Sequence, residues 1–129
     1  MADRMPGELA VLIQKVFEAG EAMDVERFSA RFTEDTLYQF GNEPIVRGRE
    51  GIKEADSIAA FNRTVKSIKH HVKGMWEIGD LLIVEMEVTY VRRDGKSFTL
   101  PACDTVRFEE DLVKEMRIYM DISPLFAEA

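Results

Sequence analysis

Between Ile68 and Ile122, apolar residues recur at every second position in four successive runs broken only by short turns. Ile68, His70, Val72, Trp76 and Ile78 share one face of the first run, and Leu82, Val84, Met86, Val88 and Tyr90 one face of the second. Phe98, Leu100, Ala102, Val106 and Phe108 do so in the third, and Met116, Ile118, Met120 and Ile122 in the fourth, which Pro124 stops. A two-residue period belongs to a strand with one face buried. Gly79-Asp80, Arg93-Asp94-Gly95-Lys96 and Glu109 to Asp111 are turns too short for a crossover. The carboxyl-terminal half therefore predicts an antiparallel sheet, and the rest of the chain must cover its apolar face. Gly74 interrupts the first run and marks a candidate bulge.

The covering elements are legible upstream. Leu9, Leu12, Ile13, Val16 and Phe17 recur at helical spacing as far as Gly20, a plausible stop. Asp24 is placed to cap a second, shorter helix carrying Val25, Phe28 and Phe32. Thr36, Tyr38 and Phe40 alternate as a first strand that ends at Gly41-Asn42-Glu43-Pro44, and Ile52, Ala55, Ile58, Ala59 and Phe61 form the stripe of a third helix. Helix, helix, strand, helix and four strands make an α+β chain, its helices covering one face of a curved, mostly antiparallel sheet. A length of 129 residues, 46% of them hydrophobic, suits one domain over residues 1–129, with 1–7 a mobile lead and 124–129 a carboxyl-terminal tail.

Composition narrows the partners. The net charge is −7, and no Lys/Arg block exceeds the pair Arg92-Arg93, so there is no footprint for a phosphate backbone and nucleic acid is not expected. No run reaches the roughly 18 apolar residues of a membrane span, and the amino terminus is too charged for a signal peptide. The expectation is a soluble, cytoplasmic protein without a membrane partner. Cys103 is the only cysteine, which excludes an internal disulfide and reads as inert strand filler. The adjacent His70 and His71 point to opposite faces of a strand and predict no metal site.

One residue breaks the apolar face of the third run. Asp104 stands among Phe98, Leu100, Ala102, Val106 and Phe108. A buried carboxylate must find a partner, take up a proton or face a wet cavity, because burying it charged and alone costs several kcal/mol.

Four phrases in order carry a family resemblance: FTEDTLYQF at Phe32 to Phe40, P-x-x-x-G at Pro44 to Gly48, D-x-x-R-F at Asp104 to Phe108, and RIYMDISPL from Arg117 to Leu125. With them the chain resembles the nuclear transport factor 2-like superfamily and, within it, the SnoaL-like proteins. The resemblance implies a cone-shaped α+β roll of the cystatin-like kind, with three amino-terminal helices against the curved sheet, and a homodimer. It also brings relatives with cofactor-free activities: ketosteroid isomerase, limonene-1,2-epoxide hydrolase and polyketide cyclases. Carried over residue by residue, most of their machinery is missing. The isomerase's base falls on Phe40 and its oxyanion-hole tyrosine on Val16, leaving only its protonated acid, at Asp104. The epoxide hydrolase's tyrosine matches Tyr38, but its asparagine falls on Phe40 and its charged residues on Glu87, Thr89 and Ile118. The cyclase aspartate also falls on Ile118, with a histidine expected where Asp104 stands.

The predicted catalytic set is thus Asp104, His70 and Tyr38. The predicted ligand wall is Phe17, Phe40, Phe61, Trp76, Met86, Val88, Ile118 and Met120, and no metal or cofactor is called for. If burial dominates, Asp104 stays protonated and donates to a carbonyl or enolate oxygen. If His70 lies beside it, Asp104 orients the imidazole and His70 carries the proton. Against these stand structural roles: Asp104 as an acid satisfied by Tyr38 or a buried water, and His70 and Tyr38 as packing residues. The functional expectation is acid–base chemistry of the isomerase, cyclase or hydratase type on a hydrophobic small molecule. The alternatives are a non-catalytic carrier of an apolar ligand, or a dimeric scaffold whose pocket is closed by Met86, Met120 and Trp76.

Overall fold

The computed structural model describes residues 5–127, so the first four residues of the predicted lead and the last two of the predicted tail lie outside the described residues. Helix α1 (Glu8–Glu21) buries Leu9, Leu12, Ile13, Val16 and Phe17, the stripe its spacing predicts. It runs one residue past Gly20, and the chain reverses at Met23, whose φ of 56° takes the left-handed turn. Asp24 then caps α2 (Val25–Ser29), its Oδ1 accepting from the backbone N–H of Glu26 at 3.0 Å and of Arg27 at 3.2 Å. Phe32, predicted on this helix, instead opens strand β1 (Phe32–Phe40), which pairs antiparallel with the short β2 (Val46–Arg47).

The predicted third helix is two. Ala55, with ψ of 126°, leaves helical geometry and separates α3 (Arg49–Glu54) from α4 (Asp56–Thr64). Ile52 is buried to the last atom, but Ala59 faces solvent and Ile58 and Phe61 are only half-buried. The break turns α4 away from full contact with the sheet, which leaves room beneath it. Arg49 fixes α3 to β1 by donating from Nε and Nη2 to the Phe32 carbonyl, at 2.9 and 2.7 Å.

The four alternating runs are β3 (Val65–Ile78), β4 (Leu81–Arg92), β5 (Ser97–Glu109) and β6 (Leu112–Tyr119), each antiparallel to the next. Strand β1 joins β6 in parallel, giving an open six-stranded mixed sheet in the order β2-β1-β6-β5-β4-β3. Gly79 and Gly95, with φ of 60° and 90°, supply the left-handed positions of the two tight turns. The last strand is shorter than predicted: it ends at Tyr119, so Ile122 lies beyond it, and the supposed tail folds into a helical turn, α5 (Ser123–Phe126). Leu125 is fully buried there, and the Arg92 guanidinium donates to the carbonyls of Leu125 and Ala127.

The β3 bulge is where Gly74 predicts one. Val72 pairs with Met86 and Gly74 with Glu85, leaving Lys73 as the extra residue. From there the faces of the strand exchange. Met75, opposite buried Val84, turns inward, and Trp76, opposite Ile83, turns outward. A Cβ at Gly74 would lie 2.8 Å from the Trp76 ring, so glycine is what lets the indole fold back over the strand. Among the described residues no helix is long and apolar enough to cross a membrane.

Candidate functional site

Helices α1, α2 and α4 and the carboxyl-terminal turn close over the inner face of the sheet without filling it, leaving a cavity of about 690 Å³. Its floor comes from alternate residues of four strands: His70 on β3, Met86, Val88 and Tyr90 on β4, Ala102 and Asp104 on β5, and Met116 and Ile118 on β6, with Met120 just past its end. Its cover comes from Val16, Phe17, Phe28, Ile58, Phe61 and Phe126, with Tyr38 and Phe40 on the β1 side. Of the predicted wall, Phe17, Phe40, Phe61, Met86, Val88, Ile118 and Met120 are in place. Trp76 is not. It is 52% exposed on the opposite face of the sheet, because the one-residue bulge at Lys73 reverses everything after it.

Asp104 is 1% exposed, between Val84 and Ile118 in the sheet, and its Oδ1 has no hydrogen-bond partner among the described residues. Burial pushes this carboxyl well above its ordinary value of 3.8. Tyr38 and Tyr90 are its aromatic company. Both phenols are pushed up, chiefly by burial and further by the charge of Asp104. Tyr38 packs edge-on against Phe28 and Phe32, with ring centroids 5.9 Å from each. Tyr90 packs edge-on against Phe61 at 5.7 Å, and its hydroxyl donates to the Met120 sulfur at 3.4 Å.

His70 faces the cavity but is not the partner of Asp104. By register it lies opposite Val88, while Asp104 lies opposite Val84 on the far side of the same strand. Two strand spacings and four residues put their backbones about 16 Å apart. Glu21 holds the imidazole instead: its Oε2 accepts from the His70 backbone N–H at 2.8 Å and lies 2.9 Å from Nδ1. Phe17 stacks on the ring, 4.2 Å between centroids and 11° from parallel. Phe17 and Glu21 are one helical turn apart on α1, so a single face of that helix supplies both the stack and the acceptor. Burial lowers the His70 pKa, with Glu21 pulling the other way. Burial thus favours the neutral ring, and Glu21 facing Nδ1 draws that ring's proton to Nδ1. His71 points to the other face, 3.2 Å from the Thr89 hydroxyl.

Glu21 and Tyr90 stand outside the predicted site set. Tyr90 was legible as an inward strand residue. Glu21 continues the apolar stripe of α1 four residues after Phe17, a carboxylate on a buried helix face, which is the same kind of anomaly as Asp104. Among the described residues the remaining charged lining residues are Asp24, Glu43 and Asp56, and no lysine or arginine lines the cavity.

Compared with known families, residues 13–116 match the SnoaL-like domain. The chain belongs to that family. Among solved structures, the SnoaL-like chain is similar to a putative SnoaL-like polyketide cyclase from Jannaschia sp. CCS1, with 19% identity over 98% of this chain and 95% of the other and a TM-score of 0.72. It is similar to a hypothetical protein of ketosteroid isomerase-like fold from Catenulispora acidiphila DSM 44928, in complex with trimethylamine, at 15% identity over 88% of both chains and a TM-score of 0.77. An epoxide hydrolase of the limonene type from M. tuberculosis matches at 15% identity over 90% of this chain and 84% of the other, TM-score 0.70. The search of curated proteins found no match. At these identities the solved structures show the shared fold and leave the reaction to the site. Three of the positions where the resemblance expects catalytic groups, Val16, Phe40 and Ile118, line the SnoaL-like cavity as apolar wall.

Proposed function

We propose that this chain is a small-molecule enzyme using cofactor-free acid–base chemistry on a hydrophobic substrate, with Asp104 protonated and donating to a carbonyl or enolate oxygen. The observation that carries the reading is the unpartnered Oδ1 of Asp104, buried at the floor of an apolar cavity large enough for a small molecule. A neutral acid in apolar surroundings stabilises developing negative charge on an oxygen by donating a hydrogen bond to it. The reaction class is one in which such charge develops: isomerisation, cyclisation or hydration. The test is α-hydrogen exchange of hydrophobic ketones in D2O, followed by NMR with wild type and Asp104→Asn. Loss of about 10²-fold or more in exchange rate is expected from removing the acid, and an unchanged rate sinks the assignment.

The apolar residues at Val16, Phe40 and Ile118 favour a second reading, a carrier that holds an apolar ligand without converting it. Native mass spectrometry separates the two: an intact co-purified ligand favours the carrier, conversion of an added ketone the enzyme. The filled-scaffold reading relied on Trp76 as one of the closing residues, and Trp76 lies on the outer face of the sheet.

A further inference from the structure

The Glu21–His70 pair forms a second polar station of the cavity, far from the first. Glu21 Oε2 already accepts the His70 backbone N–H, so it accepts from Nδ1 as well, which settles Nδ1 as the protonated nitrogen. Phe17 covers one ring face. Nε2 is left with an unshared lone pair and no hydrogen bond among the described residues, on a ring that lines the cavity. Such a nitrogen accepts a hydrogen bond. It meets an O–H or N–H well, and with Glu21 behind it and no lysine or arginine in the wall among the described residues it meets an anion badly. Between His70 and Asp104 the floor is apolar, with Met86 and Val88 on β4 and Ala102 on β5.

We propose that the ligand is an elongated, uncharged, hydrophobic molecule whose end opposite Asp104 carries a hydroxyl or similar donor, received by Nε2 of His70, with Glu21 as the positioning residue. This rests on the reading of Asp104 as the station for the ligand's acceptor end. Allowing for the reach of both side chains, the two polar groups of the ligand lie on the order of 10 Å apart. The site is thus built for a hydroxy-ketone type of skeleton and against carboxylates and phosphates.

The experiment is calorimetric titration of the full chain with 4-acetyl-4′-hydroxybiphenyl, which has that length, and with its analogues lacking the hydroxyl, lacking the acetyl group, or carrying a carboxylate in place of the hydroxyl. The hydroxyl is expected to tighten binding about three- to tenfold in wild type, the span of one net hydrogen bond. That gain should vanish in His70→Phe, which keeps the stack on Phe17, and the carboxylate should bind more weakly than the compound lacking the hydroxyl. Should His70→Phe not fold, 15N spectra of the wild-type imidazole decide: Nε2 unprotonated in the free protein, and shifted by the hydroxylated ligand but not by its deoxy analogue. A hydroxyl that adds nothing, a carboxylate that binds as tightly as the hydroxyl, or a proton found on Nε2 overturns the proposal. If the acetyl group contributes and the hydroxyl does not, this inference falls while the Asp104 reading stands. The reverse pattern removes the Asp104 reading and leaves the His70 end supported. Failure of every biphenyl to bind overturns both.

Discussion

Asp104 affects stability as well as chemistry. In the unfolded chain its carboxyl ionises near 3.8; in the folded chain burial keeps the proton on to a much higher pH. Between those two values the folded state holds the extra proton, so stability falls as pH rises through that window and stays reduced above it. Asp104→Asn removes the titration while keeping size and polarity. The variant is expected to match wild type near pH 3 and to exceed it by at least about 1 kcal/mol at pH 8, since a tenfold difference in proton affinity between folded and unfolded chains corresponds to about 1.4 kcal/mol. Urea unfolding across pH reads this directly, and parallel curves for the two proteins would exclude a buried acid with a raised pKa. The residue itself was legible from sequence, because a carboxylate on an apolar strand face needs no tertiary information to look anomalous. Its supposed partner was not. His70 shares the inward face with Asp104 in any strand reading, but only the pairing register shows two strand spacings and four residues between them.

At the level of elements, the period-2 pattern located strands β3 to β6 and the 3.6 pattern located α1, because both periods are properties of the local backbone. The failures fall at interruptions. Ala55 carries nothing in its own side chain that ends a helix, yet the chain breaks there so that α3 can bury Ile52 against the core while α4 roofs the cavity. The carboxyl-terminal segment reads as a tail because Pro124 ends the strand, but α5 seats Leu125 in the core under the carbonyl contacts of Arg92. Leu125→Ala is accordingly expected to cost about 2–5 kcal/mol, a core truncation rather than a tail edit. Thermal denaturation checks it: a melting temperature within a degree of wild type would mean the segment contributes nothing to the fold.

For the whole molecule, the two faces of the sheet have separate tasks. The inner face floors the cavity. The outer face carries Trp76 paired with Ile83 and Cys103 paired with Tyr119, with Trp76 and Tyr119 more than half exposed, amid Lys73, Glu87 and Arg117. The family resemblance implies a homodimer, and this is the face where we expect it. Sedimentation equilibrium should return twice the 14.8 kDa chain mass, and Trp76→Glu should shift the balance toward monomer; a monomeric wild type at micromolar concentration would end the expectation. By itself the sequence determined the α+β class, the inward sets of β4 and β5, the family and the anomaly at Asp104, all of which follow from local periodicity and residue type. Only the tertiary structure decided that Trp76 faces out, that Glu21 and not Asp104 holds His70, and that His70 and Asp104 line one cavity from strands two spacings apart. The reason is register: a single extra residue at Lys73 reverses a strand's faces, and which side chains meet across strands depends on pairings between residues far apart in the chain.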